Sequence, residues 1–362
     1  MSTFLWGSRD SIRSYTICAA PFDRRGNKSR HCPTASNYSN DSNDKECDLT
    51  TQSPLPPPPT RSVTDRPICD YEGSAYRTEF WVAERAYEDA AERVALSHML
   101  PPTGRRLIEI GAGYGRLADL YSGYDEVLFF DYAFSQLQQA QEMWGQCGPG
   151  GRPRYVYVAG DFYQLPFAPG LFDTVTSIRT LHHAADAPAV LRGVGQIVAP
   201  GGTFVLEFAN KRNLKAILRY LLRRQSWSPF DREPVEFVAL NFDFHPAWIA
   251  EQLTRAGMQV EAQRAVSYLR LGLLKRAAPT SLLLALERWL QPTGAVCQLS
   301  PSAFVRCVAA GDKPPALEGA FFRCLVCGST MLLEETDALS CTDCGHRFEI
   351  RDGIYDFKVP SR

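Results

Sequence analysis

From about Thr78 onward the chain alternates short apolar runs with segments in which apolar residues recur every three to four positions. Phe80, Val82, Ala83, Ala86, Tyr87, Ala90, Ala91, Val94, Ala95 and Met99 keep helical spacing up to the Pro101-Pro102 stop and predict a first helix. Leu107–Ile110, Val127–Phe130, Tyr155–Ala159, Thr174–Ile178 and Thr203–Phe208 are apolar runs of strand length. Between them Phe134–Trp144 and Ala187–Val198 have helical spacing, a helix is expected to start over Arg116–Tyr121, and Phe304–Ala309 is a candidate last strand. This alternation predicts an α/β fold, a parallel sheet with helices on both faces.

Residues 1–68 follow neither period. They are rich in Ser, Thr, Asn, Asp and Pro, with prolines dense from Pro54 to Pro59. Such a segment cannot bury enough apolar surface to offset its ordering entropy, so a disordered leader is expected. Cys18, Cys32, Cys47 and Cys69 are unevenly spaced and suggest no shared site. The chain starts MSTFLWGSRDSIRSY, without a cationic start followed by a long apolar run, and no window offers about 18 consecutive apolar residues. A cytoplasmic location is the expectation.

Composition narrows this picture. The chain has 362 residues, 45% of them hydrophobic, enough for a sizeable core. Thirty-nine basic residues against forty acidic ones exclude a globally basic nucleic-acid coat but not a local patch. Eleven cysteines in a chain this long fall well short of a disulfide-stapled miniprotein, so their spacing matters more than their number.

Leu107-Ile-Glu-Ile-Gly-Ala-Gly-Tyr-Gly-Arg116 places a G-x-G-x-G turn directly after a buried strand. Gly111, Gly113 and Gly115 allow a sharp turn and the close approach of a ligand. A merely tight connection is the plainer alternative. Asp131 ends the next strand, where an acid can take both ribose hydroxyls of a nucleoside or, more simply, cap a helix. Asp161-Phe162 ends the third strand, and a carboxylate beside an aromatic suits an adenine. Phe172-Asp173 begins the fourth strand, and Pro200-Gly201-Gly202 turns into the fifth.

Taken in order, these residues resemble the class I S-adenosylmethionine-dependent methyltransferases of the broad type 11 group, over about residues 78–310. The resemblance implies a Rossmann-like sheet of seven strands in the order 3-2-1-4-5-7-6, the last antiparallel. It implies S-adenosylmethionine as cofactor, with Glu109, Gly111, Ala112, Gly113, Gly115, Asp131, Tyr132, Asp161, Phe162 and Arg179 around it. The runner-up within the fold is an NAD-type dehydrogenase, disfavoured because Arg116 stands near the place of that fingerprint's third glycine.

Methyl transfer from a sulfonium asks mainly for alignment and exclusion of water, with a general base where the nucleophile carries a proton. His182 and His183, after the fourth strand, are the candidate catalytic pair, or they simply pack or cap the next helix. The segment lacks the Asn/Asp-Pro-Pro-aromatic motif usual in adenine-amine and glutamine-amide methyltransferases of this fold, which argues against those acceptors.

Two insertions are expected, near 210–245 and 268–300, inside a methyltransferase domain spanning 69–312. In the first, Leu214, Ile217, Leu218, Leu221 and Leu222 share a helical face, with Lys211, Arg212, Lys215, Arg219, Arg223 and Arg224 on the remainder. Residues 211–224 read as a lid helix with a solvated basic face, the favoured expectation, or as a peripheral contact with a membrane surface or a phosphate-bearing substrate. Trp227, Phe230, Phe242 and Phe244 line an acceptor pocket or seat this lid.

Residues 318–360 hold Cys324-Leu-Val-Cys327 and Cys341-Thr-Asp-Cys344, with Gly328 and Gly345 after each pair. Four soft ligands on two knuckles suit a structural Zn²⁺, while two disulfides or a redox pair are the alternatives. Together with Arg351–Phe357 this ribbon resembles the small zinc-ribbon activators of methyltransferases, implying a stabilising or substrate-presenting role. Three functions are therefore carried forward: methylation of a small or lipid-like acceptor, methylation of RNA or a translation factor with the ribbon as activator in cis, and a non-catalytic S-adenosylmethionine-binding module.

Overall fold

The computed structural model describes residues 66–74, 77, 81 and 85–358. The expected leader up to residue 65, with Cys18, Cys32 and Cys47, lies outside the described residues, as does most of the stretch expected to begin the first helix.

Helix α1 (Ala86–Met99) leads into β1 (Gly104–Ile110), β2 (Tyr124–Asp131), α2 (Phe134–Trp144), β3 (Arg154–Ala159) and β4 (Phe172–Ser177). Next come α3 (Ala187–Ile197), β5 (Val198–Ala209), α4 (Leu214–Leu221), the hairpin β6 (Val235–Val238) and β7 (Asn241–Asp243), α5 (Pro246–Arg255) and β8 (Met258–Val266). Then follow α6 (Gly272–Ala277), α7 (Thr280–Leu290) and β9 (Ser302–Ala309). The ribbon supplies β10 (Leu332–Glu334), β11 (Ala338–Cys341), β12 (Arg347–Arg351) and β13 (Ile354–Asp356).

Local chemistry sets several of these boundaries. The Asp186 side chain accepts from Ala189 N–H at 3.0 Å and caps α3, with Pro188 in the first turn. Asn213 caps α4 and His245 caps α5 in the same way. The helix expected over Arg116–Tyr121 is absent. Only a single 3₁₀ turn forms at Ala118–Tyr121. Gly115 at φ +72° breaks the helical path on one side, and Ser122-Gly123 must already enter β2 on the other.

The main sheet runs β10-β11-β12-β13-β3-β2-β1-β4-β5-β9-β8. Its β3-to-β8 portion has the seven-strand order the sequence implied, with β9 antiparallel to β5. The correction is that the sheet does not stop there. The ribbon prolongs it to eleven strands, because β13 pairs in parallel with β3 through Ile354–Tyr157, Tyr355–Val158 and Asp356–Ala159. An open β3 would present unpaired backbone groups to water, and the ribbon satisfies them. Aromatic packing fastens the junction. Phe322 stacks on Phe167 at 5.8 Å and packs on Phe357 at 5.0 Å.

One apolar layer holds α3 and α5 against the sheet through Leu191, Val194, Ile249 and Leu253, and continues into Phe322, Phe348 and Phe357 of the ribbon. The opposite layer holds α1, α2 and α7 through Ala95, Leu96, Leu137, Ala140 and Leu283. The sheet order reverses between β1 and β4, so the crevice beyond their carboxyl ends is where such a fold takes a ligand.

Candidate active site

The glycine turn sits at that crevice. Gly111 and Ala112 donate their N–H groups to the Phe130 carbonyl at 2.8 and 3.1 Å. This pulls the turn against the end of β2. Gly111 has φ +75°, and a Cβ there would lie 2.0 Å from Thr180 Oγ1, so no larger residue fits without rebuilding. Asp131 is fixed from both sides, accepting from Gly113 N–H at 2.7 Å and Ala133 N–H at 2.9 Å. Burial pushes its carboxyl up to about 6, against the pull of those two backbone donors.

Glu109, on β1, is 3% exposed, and its Oε2 has no hydrogen-bond partner. Burial pushes it up to about 8, only partly opposed by Arg116. Tyr121 bonds the group, but a buried carboxylate with one oxygen unpartnered beside a glycine turn fits a ligand that brings a cation, such as an amino acid ammonium. Asp161 accepts from Tyr163 N–H, and burial raises its carboxyl too. Phe162 packs on Tyr163 at 4.5 Å. Tyr132 lies beneath Lys358 of the ribbon, 5.3 Å from ring to ammonium, so the ribbon's end reaches the β2 side of the crevice beside Asp131.

The side wall is ionic. Glu92 of α1, fully buried, receives Arg116 at 2.7 Å and Arg179 at 2.6 Å. Both guanidiniums also lie over Trp81. The N–H of Arg179, at φ +57°, donates to Glu207 of β5 at 2.9 Å. The Arg179 side chain, expected to face the cofactor, is thus placed in this wall. Nothing in the local sequence marks Glu92 or Glu207 as its partners.

A strap over residues 66–74 crosses the crevice. Arg66 pairs with Asp186 at 2.6 Å on the β4 side, while Gly73 N–H donates to Ser135 Oγ at 2.8 Å on the β2 side. In its middle, Tyr71 bonds His183. Sequence reading placed this strap at the leader boundary and missed its position.

The two histidines separate into different environments. His183 uses both ring nitrogens. Its Nδ1 lies 3.0 Å from the Leu240 carbonyl, which can only accept, so the proton is assigned there. Its Nε2 then accepts from Tyr71 O–H at 3.0 Å. His182 packs against His183 with ring centres 3.9 Å apart and the planes tilted by 45°, and forms no hydrogen bond among the described residues. Burial, then His183 and Arg179, hold its pKa well below the usual imidazole range. Burial lowers His183 as well, though the Leu240 carbonyl opposes it.

The first insertion departs from expectation. The leucines of 211–224 do not pack as a lid. Leu214, Leu218, Leu221 and Leu222 are exposed, and only Ala216 of α4 is buried. Of the aromatics, Phe244 is core and stacks on Trp248 at 5.5 Å, while Phe230 is exposed.

In the ribbon, the sulfurs of Cys324, Cys327, Cys341 and Cys344 all lie within 4.8 Å of one another. Sγ pairs at 3.5 and 3.6 Å join one knuckle to the other and are far longer than a disulfide. Gly328 and Gly345, at φ +81° and +72°, donate their N–H groups to the Cys324 and Cys341 carbonyls and close each knuckle. The arrangement fits a tetrahedral S₄ ion. His346 turns aside and packs on Phe348.

Comparison with known proteins is consistent with this geometry, because residues 108–206 match the methyltransferase-domain family. Residues 108–206 are a methyltransferase domain. The chain is 30% identical over 131 residues to 27-O-demethylrifamycin SV methyltransferase of Amycolatopsis mediterranei, covering 35% of this chain and 48% of that protein. It is 31% identical over 115 residues to demethylmenaquinone methyltransferase of Beutenbergia cavernae, covering 32% and 45%. The chain thus spans about half the length of the curated relatives it matches. A solved complex between the Haloferax volcanii Trm112 methyltransferase activator and a methyltransferase aligns with 62% of this chain and 92% of its own, at 20% identity and TM-score 0.44.

Proposed function

We propose that this protein is an S-adenosylmethionine-dependent methyltransferase acting on a small or lipid-like acceptor. The observation that carries the reading is the pairing of the glycine turn with the doubly held Asp131 and the unsatisfied Glu109. Asp131 keeps lone pairs free for two ribose hydroxyls, since each oxygen accepts one backbone donor. Glu109 offers its orphaned oxygen to the ammonium of the methionine moiety. Asp161 and Phe162 suit the adenine amine and face.

The bound cofactor supplies an electrophilic methyl group on a sulfonium. The protein's task is to align the acceptor, keep water out and remove a proton where the acceptor has one. His182 is the candidate base, since its lowered pKa keeps it neutral and its nitrogens are uncommitted among the described residues, whereas His183 bonds the strap and the β6–β7 hairpin. The acceptor class draws support from the relatives named for a demethylrifamycin and a demethylmenaquinone.

The ribbon is read as an in-cis stabiliser. Its four cysteines would hold zinc, which has no open position for chemistry when closed by four thiolates. Action on RNA or a translation factor is the second reading, favoured by the activator-like ribbon on β3. Titration calorimetry with S-adenosylmethionine tests the cofactor, and binding unaffected by Asp131→Ala would defeat the proposal. Labelled methyl incorporation into lipid, RNA and protein extracts separates the acceptors, and label confined to RNA would favour the second reading.

A further inference from the structure

Eleven large hydrophobic side chains of residues 214–222 and 271–296 face solvent, among them Trp289 at 85% and Leu273 at 79% exposure. Singly exposed leucines are ordinary, but a concentration on two neighbouring segments is not. The segments adjoin at their roots. Leu214 N–H donates to the Leu299 carbonyl at 2.8 Å, and Asn210 bonds the Gln298 and Ser300 carbonyls. Lys215 is close enough to Arg270 for their charges to repel.

Charge accompanies the apolar faces. Residues 211–224 hold six Lys or Arg and no acid. Residues 270–288 hold four more, and their only acid, Glu287, is buried and bonded to Tyr87; Lys211 is buried and Lys275 pairs with Glu88, which leaves Lys215, Arg219, Arg223, Arg224, Arg276 and Arg288 to carry the surface charge. The chain as a whole has a net charge of −1, so the positive charge of this surface is local. Leucine and tryptophan interleaved with arginine and lysine are what an amphipathic element needs to lie in a headgroup layer. No described helix is long and apolar enough to cross a membrane, so the contact is superficial.

We propose that these two segments form one docking surface for a bilayer bearing anionic lipids, from which the acceptor is drawn. Trp289, Leu286 and Leu273 enter from one segment and Leu218, Leu221 and Leu222 from the other. Arg219, Arg223, Arg224, Arg276 and Arg288 meet the lipid phosphates. The surface borders the candidate site. Arg270, at its root, is near Arg179, Glu207 and Asp243, and the hairpin beside α4 is tied to His183 through Leu240. Docking itself does not depend on the methyltransferase reading, whereas drawing the acceptor from the bilayer rests on it.

Full-length protein is mixed with vesicles of phosphatidylcholine alone, or of phosphatidylcholine with phosphatidylglycerol, and sedimented. The expected result is partition onto the anionic vesicles, weakened by salt, with a blue shift of the Trp289 emission that Trp289→Phe removes. Leu221→Ser with Trp289→Ala, and separately Arg223→Gln with Arg224→Gln, should each lower partition by about tenfold. Both double variants should still bind S-adenosylmethionine in calorimetry, so loss of docking and loss of the cofactor reading are told apart. Absence of partition, partition indifferent to the Leu221 and Trp289 changes, or a leucine-dependent dimer in sedimentation velocity without vesicle binding would overturn the proposal.

Discussion

Tyr71 donates its hydroxyl hydrogen to Nε2 of His183 at 3.0 Å, across 112 positions of sequence. The bond joins the strap to the segment after β4, and through Nδ1 the same ring holds the β6–β7 hairpin. His183 is therefore a positioning residue, and its neighbour is left as the candidate base.

The two imidazoles should respond differently to replacement. His182→Asn should lower kcat by about 10²–10⁴ for an acceptor that must lose a proton, with little change in cofactor affinity. His183→Asn and Tyr71→Phe should instead raise KM, because the strap and hairpin loosen. Both rings are partly buried with lowered pKa values, so the unfolded chain takes up their protons first. The stability they contribute is present above about 6.5 and is lost as pH falls through that value toward the folded pKa. Thermal unfolding between pH 8 and 5, compared across these variants, checks the sign.

Cofactor binding should release a proton. Glu109 sits at about 8 in the free protein, so it is largely protonated near pH 7. An ammonium against Oε2 favours the carboxylate and expels up to about one proton per chain. Calorimetry in buffers of different ionisation enthalpy measures this, and Glu109→Gln should abolish it.

Asp131 works in the other direction. With its carboxyl at about 6, cofactor affinity should fall as pH drops through that value, and Asp131→Asn should flatten the dependence. The raised pKa also means that the unfolded chain ionises first. Its contribution therefore reduces folding stability as pH rises from about 4 to 6, then levels off.

Gly111→Ala should cost about 2 kcal/mol or more, because φ +75° is unfavourable for alanine and its Cβ would meet Thr180. Pairing it with Thr180→Gly should recover the steric part but not the backbone part. Denaturant unfolding of the two variants separates the contributions.

Reduced protein should hold one zinc per chain, measured by metal analysis. Cys324→Ser should remove it, destabilise the chain by more than about 2 kcal/mol and uncover β3. Hydrogen exchange at Tyr157 and Val158, which pair with β13, should then accelerate. Because Lys358 overlies Tyr132, the same variant should weaken cofactor binding several-fold.

Local signals were readable directly. Gly111, Gly113 and Gly115, Asp131, and the two cysteine knuckles lie within a few residues of the backbone features that need them, so spacing alone located them. The boundaries of α2 were legible for the same reason, since helical spacing reflects local geometry, whereas the order of the seven central strands came from the family resemblance.

Other features depend on contacts between distant parts of the chain. No periodicity in α1 announces that Glu92 will lie between Arg116 and Arg179. The 211–224 pattern specified an amphipathic helix but not what its leucines would face. Packing left them in solvent, because the core beneath was already closed. The helix expected after the glycine turn failed because β2 begins too soon to leave it room. The sequence by itself determined the α/β frame, the glycine turn after β1 and the cysteine quartet, through short-range chemistry. Only tertiary structure decided that the ribbon extends the sheet at β3, that Tyr71 bonds His183, and that the leucines of two basic insertions stay exposed. Those outcomes depend on which edges and faces remain unsatisfied once the core has packed.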